Sequence, residues 1–579
     1  MEAWSALAGK RTAAVAARPV PLARPVALHV ALVAGALGLW VIALTRVDLR
    51  ELGDLGLLNA LPVTWFVAFG LLLAGFAHAI SRERPATPLL ALYVVALIFV
   101  LHGTTPLLYD EPRYAWTYKH LGVIDWIASS GHVDRTLDIY NNWPAFFAVN
   151  AWLSSVTGVS PMDYAEWSQV FFELLNAAAI LFTLRALTVE TRQIWLATWL
   201  FLLGNWIAQD YLAPQAFVFP LATVLLGLCL RCGPRSARVP RPRAGLVTGA
   251  LCYLAIVATH QLTPIVVIIG VAVLAVAARR VPPWVPLAML VVEAAWVAHA
   301  WGFLHTHFNL FSLDLAGNAH PSPTPHAAAG FKVVSWASRA LVAVMFVLAA
   351  AGFWRRYRSR RGDLAPAVVL AAAMPAAAVL NYGGEGGMRT YLFALPWLAF
   401  LAAALCLEPR RRKRRTGAPT VAGVAAVSAL VGTLLLFAYY GRELMDHISR
   451  DDVRVALWFE RHAPVGSVRV QVDANIPERV TARYAALRGG AYSNILANHP
   501  PFAGRLLGAR ELPALELYLA RLGSTRDYVL LSPSQEDEAR MLGSVRPHSI
   551  ERLARALSRS PHFKAVYRSG QAAVYLWTP

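Results

Sequence analysis

Stretches of about twenty consecutive apolar residues recur along the first three quarters of this chain. Each is long enough as a helix to cross about 30 Å of hydrocarbon. No other feature restricts the fold as strongly. A backbone in lipid must satisfy its own hydrogen bonds, which leaves helices or closed barrels. The composition agrees: 57% of the 579 residues are hydrophobic and 15% are charged, where a soluble protein carries about 25% charge. The expected fold class is a polytopic all-α membrane domain of about thirteen helices, followed by a small α/β domain. The expected spans are 26–45, 57–80, 87–103, 166–187, 193–208, 212–230, 244–259, 263–278, 283–303, 331–353, 364–381, 391–408 and 420–440. The start, residues 1–25, is basic and rich in Ala and Pro, with no apolar core of a cleavable leader. The stretch 142–157, "NWPAFFAVNAWLSSVT", is short and polar for a span. It reads as an interfacial helix.

The net charge is +19, but it does not argue for nucleic acid. The basic residues sit in short loops such as "SRERP", "RCGPRSARVPRPR", "WRRYRSRRGD" and "EPRRRKRRTG". With a cytoplasmic N-terminus these loops all fall inside, as the positive-inside rule requires. The expected location is therefore the plasma membrane, with three extracytoplasmic loops, 104–165, 304–330 and 381–390, within the membrane domain 26–440. Residues 441–579 form an extracytoplasmic domain. Its "DDVRVALWFERHAP" reads as a helix with Asp451 as a first-turn acid or cap. "SVRVQVDA" reads as a strand, and "DYVLLSPSQEDEARML" as strand, turn and helix with a Ser534–Asp537 capping box. "HSIERLARALSRSP" reads as an amphipathic helix and "FKAVYRSGQAAVYLW" as a closing hairpin. Cys229 and Cys232 form an incidental CxxC without the βαβ context of a redox motif.

Ionisable residues gather at the ends of apolar runs. After the third span comes "LLYDEPRYAWTYKHLG". Pro112 suits a first helical turn, so Asp110 or Glu111 can serve as the N-cap. The following helix would carry Arg113, Tyr114, Tyr118, Lys119 and His120, with Arg113 and Tyr114 forming a basic-aromatic face with Thr117 and Tyr118 at i, i+4 spacing. The loop continues with His132, Asp138, Asn142 and Trp143, residue types that bind sugars through hydroxyl hydrogen bonds and ring stacking. A second stretch, "NYGGEGGMRT", flanks Glu385 with glycines that let backbone approach a ligand. It ends on Arg389, which could hold a phosphate or snorkel to headgroups. Asp210 and His260 mark two further turns. His305 and His307, at i and i+2, do not share a helix face, although with Asp314 they could meet a metal if the loop folded back. Glu173 and Glu293 lie inside spans, the signature a transporter would show.

Taken together, "YDEPRYAWTYKHLG", "NWPAFFAV", "QDYLAPQA" and "YGGEGGMRTYLFALP" resemble the GT-C superfamily of polytopic glycosyltransferases. They are closest to actinobacterial cell-envelope members, and "DEPRYA" is similar to the acidic segment of protein O-mannosyltransferases and aminoarabinose transferases. In better-understood members the acidic loop follows the first span; here it follows the third. The resemblance implies transfer of a hexosyl or pentosyl group from a polyprenyl-phosphate-linked sugar to an extracytoplasmic glycan, lipid or protein acceptor. Asp110, with Glu111, would be the catalytic acid pair, and a divalent cation (Mg, Mn or Ca), if used, would bind there. Arg389, Arg113 and Lys119 would bind the donor phosphate. Tyr114, Tyr118, His132, Asp138, Asn142, Trp143, Asp210, His260 and Glu385 would line the substrate site. Asp110 and Arg389 are expected to share one wet cavity. The partners are membrane lipids and these substrates, not nucleic acid. The alternatives are a flippase of lipid-linked glycans and a non-catalytic cell-envelope assembly protein.

Overall fold

The computed structural model describes residues 24–231, 242–307, 326–359, 365–373, 386–407, 418–489 and 493–579. Most of the chain is helical. Among the described residues, seven helices have the length and apolarity to cross a membrane: Val26–Leu44, Val63–Ile80, Pro214–Arg231, Trp284–His307, Ala329–Arg358, Gly386–Cys406 and Thr420–Asp446. Shorter apolar helices, including Thr87–His102, Ser168–Leu184 and Thr263–Val276, pack among them. The expected span 57–80 divides: a single turn at Leu57–Asn59 precedes Pro62, and the helix starts at Val63. The expected loop 381–390 also shortens, because a helix begins at Gly386 and places Arg389 in its first turn. Residues 374–385, with Glu385, lie outside the described residues, as do Cys232 and Asp314.

The long helices Ala329–Arg358 and Gly386–Cys406 run against one another. Gly352 sets their spacing near one end: a Cβ there would lie 1.9 Å from the Leu401 carbonyl oxygen. Helix Ala145–Thr157 is about 20 Å long, too short to span. Its Val149, Trp152, Leu153 and Val156 form an exposed apolar stripe at i, i+3, i+4 and i+7, which fits a helix lying along an interface.

The carboxy-terminal residues build a four-stranded sheet of order β1-β2-β4-β3, with β1 Val468–Gln471, β2 Asp527–Leu531, β3 Phe563–Ser569 and β4 Ala572–Trp577. β1 and β2 pair in parallel and the rest antiparallel. The closing hairpin turns at Gly570, with φ +52°. The helix Arg450–His462 is capped by Ser449 in a reciprocal box with Asp452, not by Asp451. Ser534 caps nothing: Ser532 holds the N-cap position of helix Pro533–Leu542. The Ser534 hydroxyl instead donates to Asp452 at 2.6 Å, tying two helices together.

This unit docks closely on the helical part. Gly122 faces the Arg479 carbonyl, where a Cβ would sit 1.6 Å from the oxygen. Asp125 accepts from the Ala482 N–H at 2.7 Å. Gly543 packs on the backbone of His326 and Ala327, and the Ala328 N–H donates to the Met541 carbonyl.

Overpacking a tight contact costs about 1–3 kcal/mol. Gly352→Val should therefore lower the thermal unfolding midpoint of the purified protein by several degrees. Gly302→Ala, where a Cβ meets nothing within 4 Å, should leave it unchanged or slightly raised.

Candidate functional site

The loop after helix Thr87–His102 carries the acidic stretch, and its local geometry differs from a simple capped helix. The helix begins at Ala115, after Tyr114, whose φ is +78°. Neither Asp110 nor Glu111 caps it. A non-glycine residue in that region costs about 1–3 kcal/mol and needs surroundings that hold it. The Tyr114 N–H donates to the Asp446 carbonyl at 2.7 Å, and the ring meets Tyr211 edge-on at 4.8 Å.

Arg113 turns inward into a buried polar chain. Its guanidinium lies 2.5 Å from Glu443 and 3.1 Å from Asp446, and donates to the Tyr439 hydroxyl at 2.8 Å. The Tyr109 hydroxyl donates to Glu443 at 3.0 Å. Tyr439 continues the chain to Asp210 at 3.3 Å, and His102 closes on Asp210 at 3.0 Å. Glu173 stands beside this group and accepts from Asn176 and Asn205 at 3.0 and 2.8 Å. All these charged side chains are buried, and paired burial is the condition under which such charges are tolerated.

Asp110 and Glu111 lie on the outer side of the same loop. Asp110 is exposed and pairs with Arg450 at 2.9 Å. Glu111 is half-buried, and desolvation raises its pKa above the usual glutamate value, against the pull of Arg450. Glu166 is raised for the same reason, with Glu111 adding to it. Together with Arg454 these residues make a charged cluster where the loop meets helix Arg450–His462.

On the other side of Tyr114 opens a cavity of about 480 Å³. Val334, Val342 and Met388 give it an apolar wall, and Arg339, Arg442, Gln209 and Asp446 bring polar groups to it. Gly387 and Met388 contribute the first turn of helix Gly386–Cys406.

The chain has been compared with known proteins. No family model matches it, and no curated protein matches it. Among solved structures it is similar to ArnT from Cupriavidus metallidurans bound to undecaprenyl phosphate, at 13% identity and a TM-score of 0.50, over 85% of this chain and 98% of that one. It is similar to the Archaeoglobus fulgidus oligosaccharyltransferase in the apo form, at 12% identity and a TM-score of 0.50, over 78% and 71%. The arabinofuranosyltransferase AftD from Mycobacteria aligns at 16% identity and a TM-score of 0.48, over 86% of this chain and 40% of that one. The chain has the GT-C fold.

Within the GT-C fold, the sequence-predicted residues separate into three groups. Tyr114 lines the cavity, and Asp110 and Glu111 lie on the same loop in the charged cluster beside Arg450. Asp110 is four residues from Tyr114, so at most about 14 Å of chain separates them. A second group is buried beside the cavity. His260 accepts the Leu262 and Thr263 N–H groups and caps the next helix. Burial, and then Arg389, hold its pKa well below the ordinary value. His120 stacks on Tyr211, and its imidazole bonds the Leu212 carbonyl at 2.8 Å. Neither Asp110 nor Arg389 lines the cavity; the segments they belong to reach it through Tyr114 and Met388 instead.

The third group corrects the sequence reading. Arg113 is engaged by Glu443 and Asp446, not turned toward a ligand. Asp210 belongs to the same buried chain. Lys119 is buried with its ammonium over the Trp116 and Tyr140 rings, at 3.9 and 4.9 Å. Asp138 receives Arg479, Tyr484 and Asn141, and so fastens the loop to the carboxy-terminal unit. Asn142 donates to the Arg135 and Asp138 carbonyls. Trp143 is core, and the buried Tyr118 donates to the Pro112 carbonyl. His132 is exposed beside Trp126. Among the described residues no group of three or more His, Cys, Asp or Glu side chains is set to hold a metal ion.

His102, Tyr439, Glu443 and Asp446 did not stand out in the sequence. Their one signal was position: His102 ends an apolar run, and "GRELMD" follows directly on another.

Three outcomes follow. Arg113→Met strands two buried carboxylates and should cost about 3–5 kcal/mol, visible as a large fall in the unfolding midpoint. Asp110→Asn removes an exposed pair and should cost no more than about 1 kcal/mol. Burial pushes His120 down to about 3, whereas the unfolded chain takes up that proton near 6.5. Its contribution is complete above pH 6.5 and is lost on acidification, by up to about 1.4 kcal/mol per pH unit. His120→Asn should flatten the decline in stability between pH 6.5 and 4, followed by thermal unfolding across that range.

Proposed function

We propose that the chain is an integral-membrane glycosyltransferase that moves a sugar from a polyprenyl-phosphate donor to an extracytoplasmic glycan, lipid or protein acceptor. The observation that carries this reading is an apolar-walled, arginine-bearing cavity lined by the same loop that carries a cluster of acidic residues. A polyprenyl chain suits the wall of Val334, Val342 and Met388. Its phosphate suits Arg339 and Arg442, together with the N-terminal turn of helix Gly386–Cys406, where unpaired N–H groups and the helix dipole favour an anion. The solved relative in complex with undecaprenyl phosphate supports a lipid-phosphate ligand for this fold. Arg389, in that first turn, adds positive charge behind the phosphate.

The chemistry is a displacement at the anomeric carbon. The acceptor hydroxyl oxygen forms the new C–O bond while the bond to the donor phosphate breaks, and the lipid phosphate leaves with the electron pair. The acceptor proton passes to a carboxylate of the acidic loop. Asp110 is solvent-accessible for that role. Glu111, with its raised pKa, is a stronger base than an ordinary glutamate and can assist. A positioned base contributes about 10²–10⁴-fold. Arg339 and Arg442 stabilise the charge that grows on the leaving phosphate.

One observation favours a second reading, transport of a lipid-linked glycan. Glu293 is buried within helix Trp284–His307, and neither carboxylate oxygen has a hydrogen-bond partner among the described residues. Ionisable groups inside spans often serve translocation.

The two are separated with purified protein and undecaprenyl phosphate carrying a radiolabelled sugar. A transferase releases undecaprenyl phosphate only when acceptor is present, and Asp110→Asn slows that release by about 10²-fold or more without changing the unfolding midpoint. Equal turnover by wild type and Asp110→Asn removes Asp110 from the chemistry. Movement of the intact labelled lipid between vesicle leaflets, abolished by Glu293→Gln and with no release, would establish transport instead.

A further inference from the structure

The helix pair that borders the 480 Å³ cavity also borders a second one at its other end. The first cavity takes Val334 to Ala343 and Gly387 to Tyr391; the second takes Arg355 to Ser359 and Ala404 to Leu407. From Ser338 to Arg355 the helix rises by about 25 Å, so the two cavities are separate sites. The second encloses about 400 Å³.

Its walls suit an anion. Four arginines reach it from three segments: Arg84, Arg192, and Arg355 with Arg356 on one helix, against two acids, Glu83 and Glu190. Three of the guanidinium groups are anchored at the wall. Arg192 donates to the Ile80 carbonyl at 2.8 Å and Arg355 to the Leu405 carbonyl at 2.5 Å. Arg356 donates to Gln193 at 3.4 Å and lies over the Phe400 ring. Each guanidinium has five N–H donors, and these anchors fix where the group stands at the wall. Two helix starts face the same space: Thr87 opens Thr87–His102, and Thr191 opens Thr191–Gly204. Their first-turn N–H groups add to the positive field.

We propose that this second cavity binds a phosphate group, carried by the headgroup of an anionic lipid in the leaflet at that end or present as free phosphate. Basic pockets between helix ends hold such headgroups, and exposed Val189 with the half-buried Leu407 gives this rim an apolar edge. The site does not depend on the transfer reading.

The test uses the full chain purified in detergent. Its unfolding midpoint is followed while dihexanoyl-phosphatidylglycerol, dihexanoyl-phosphatidylcholine or inorganic phosphate is titrated at matched ionic strength. A saturable rise with phosphatidylglycerol and none with phosphatidylcholine supports the lipid source. An equal rise with inorganic phosphate supports the free ion. In either case R84Q/R356Q should weaken the apparent affinity by about tenfold or more, and E83Q/E190Q should strengthen it. Arg84 is exposed, so R84Q alone leaves folding intact and should still show a measurable loss if the double variant misfolds. No saturable response to either phosphate compound overturns the proposal, as does a response unchanged in R84Q and its double variant.

Discussion

The guanidinium of Arg113 is the point on which this end of the molecule is assembled. It joins the acidic loop to Glu443 and Asp446, which follow the final long helix, and through Tyr439 it reaches Asp210 and His102. Segments from three distant parts of the sequence converge on one buried charge network. Apolar side chains alone would hold these helix ends with little preference for one register. Desolvated charges tolerate little misplacement, because an unpaired one is severely penalised. The cavity takes part of its wall from this network, through Asp446 and the neighbouring Tyr114.

The carboxy-terminal unit is part of that construction. Helix Arg450–His462 supplies Arg450 to Asp110, Leu542 enters the cavity wall, and Arg479 with Tyr484 grips the loop through Asp138. A unit that merely trailed from the membrane would not supply so many walls. The charged cluster of Asp110, Glu111 and Arg450 forms where this unit meets the acidic loop.

Much of the architecture was legible in the sequence because hydrocarbon imposes a length. Apolar runs located the helices, and the alternation in "SVRVQVDA" and the Ser-Gly turn located the strands and the hairpin. The site was legible by segment but not by side chain. "YDEPRY" and "GGMRT" both approach the cavity, yet Asp110 and Arg389 do not line it. Irregular loops have no period, so nothing in their spacing tells which way each residue turns. Asp138, Asn142 and Trp143 had the right chemistry for a sugar, and the fold uses them to hold itself together. The partners of Arg113 lay more than three hundred residues away, beyond the reach of any local pattern. Ser534 failed as a cap because Ser532 came first, and its hydroxyl found Asp452 across the fold.

The left-handed backbone at Tyr114 has a mechanical consequence. It sits between a residue locked in the ionic network and a helix that leads to His120, while its own ring forms part of the cavity wall. Wall and lock are therefore neighbouring links of one stiff chain. A molecule that displaces the ring must either move the Arg113 anchor or relax the strained link, and relaxing it gives up the bond to Asp446. Occupancy of the cavity would thus be felt as torque on the loop that presents the carboxylates, with a single residue acting as the pivot.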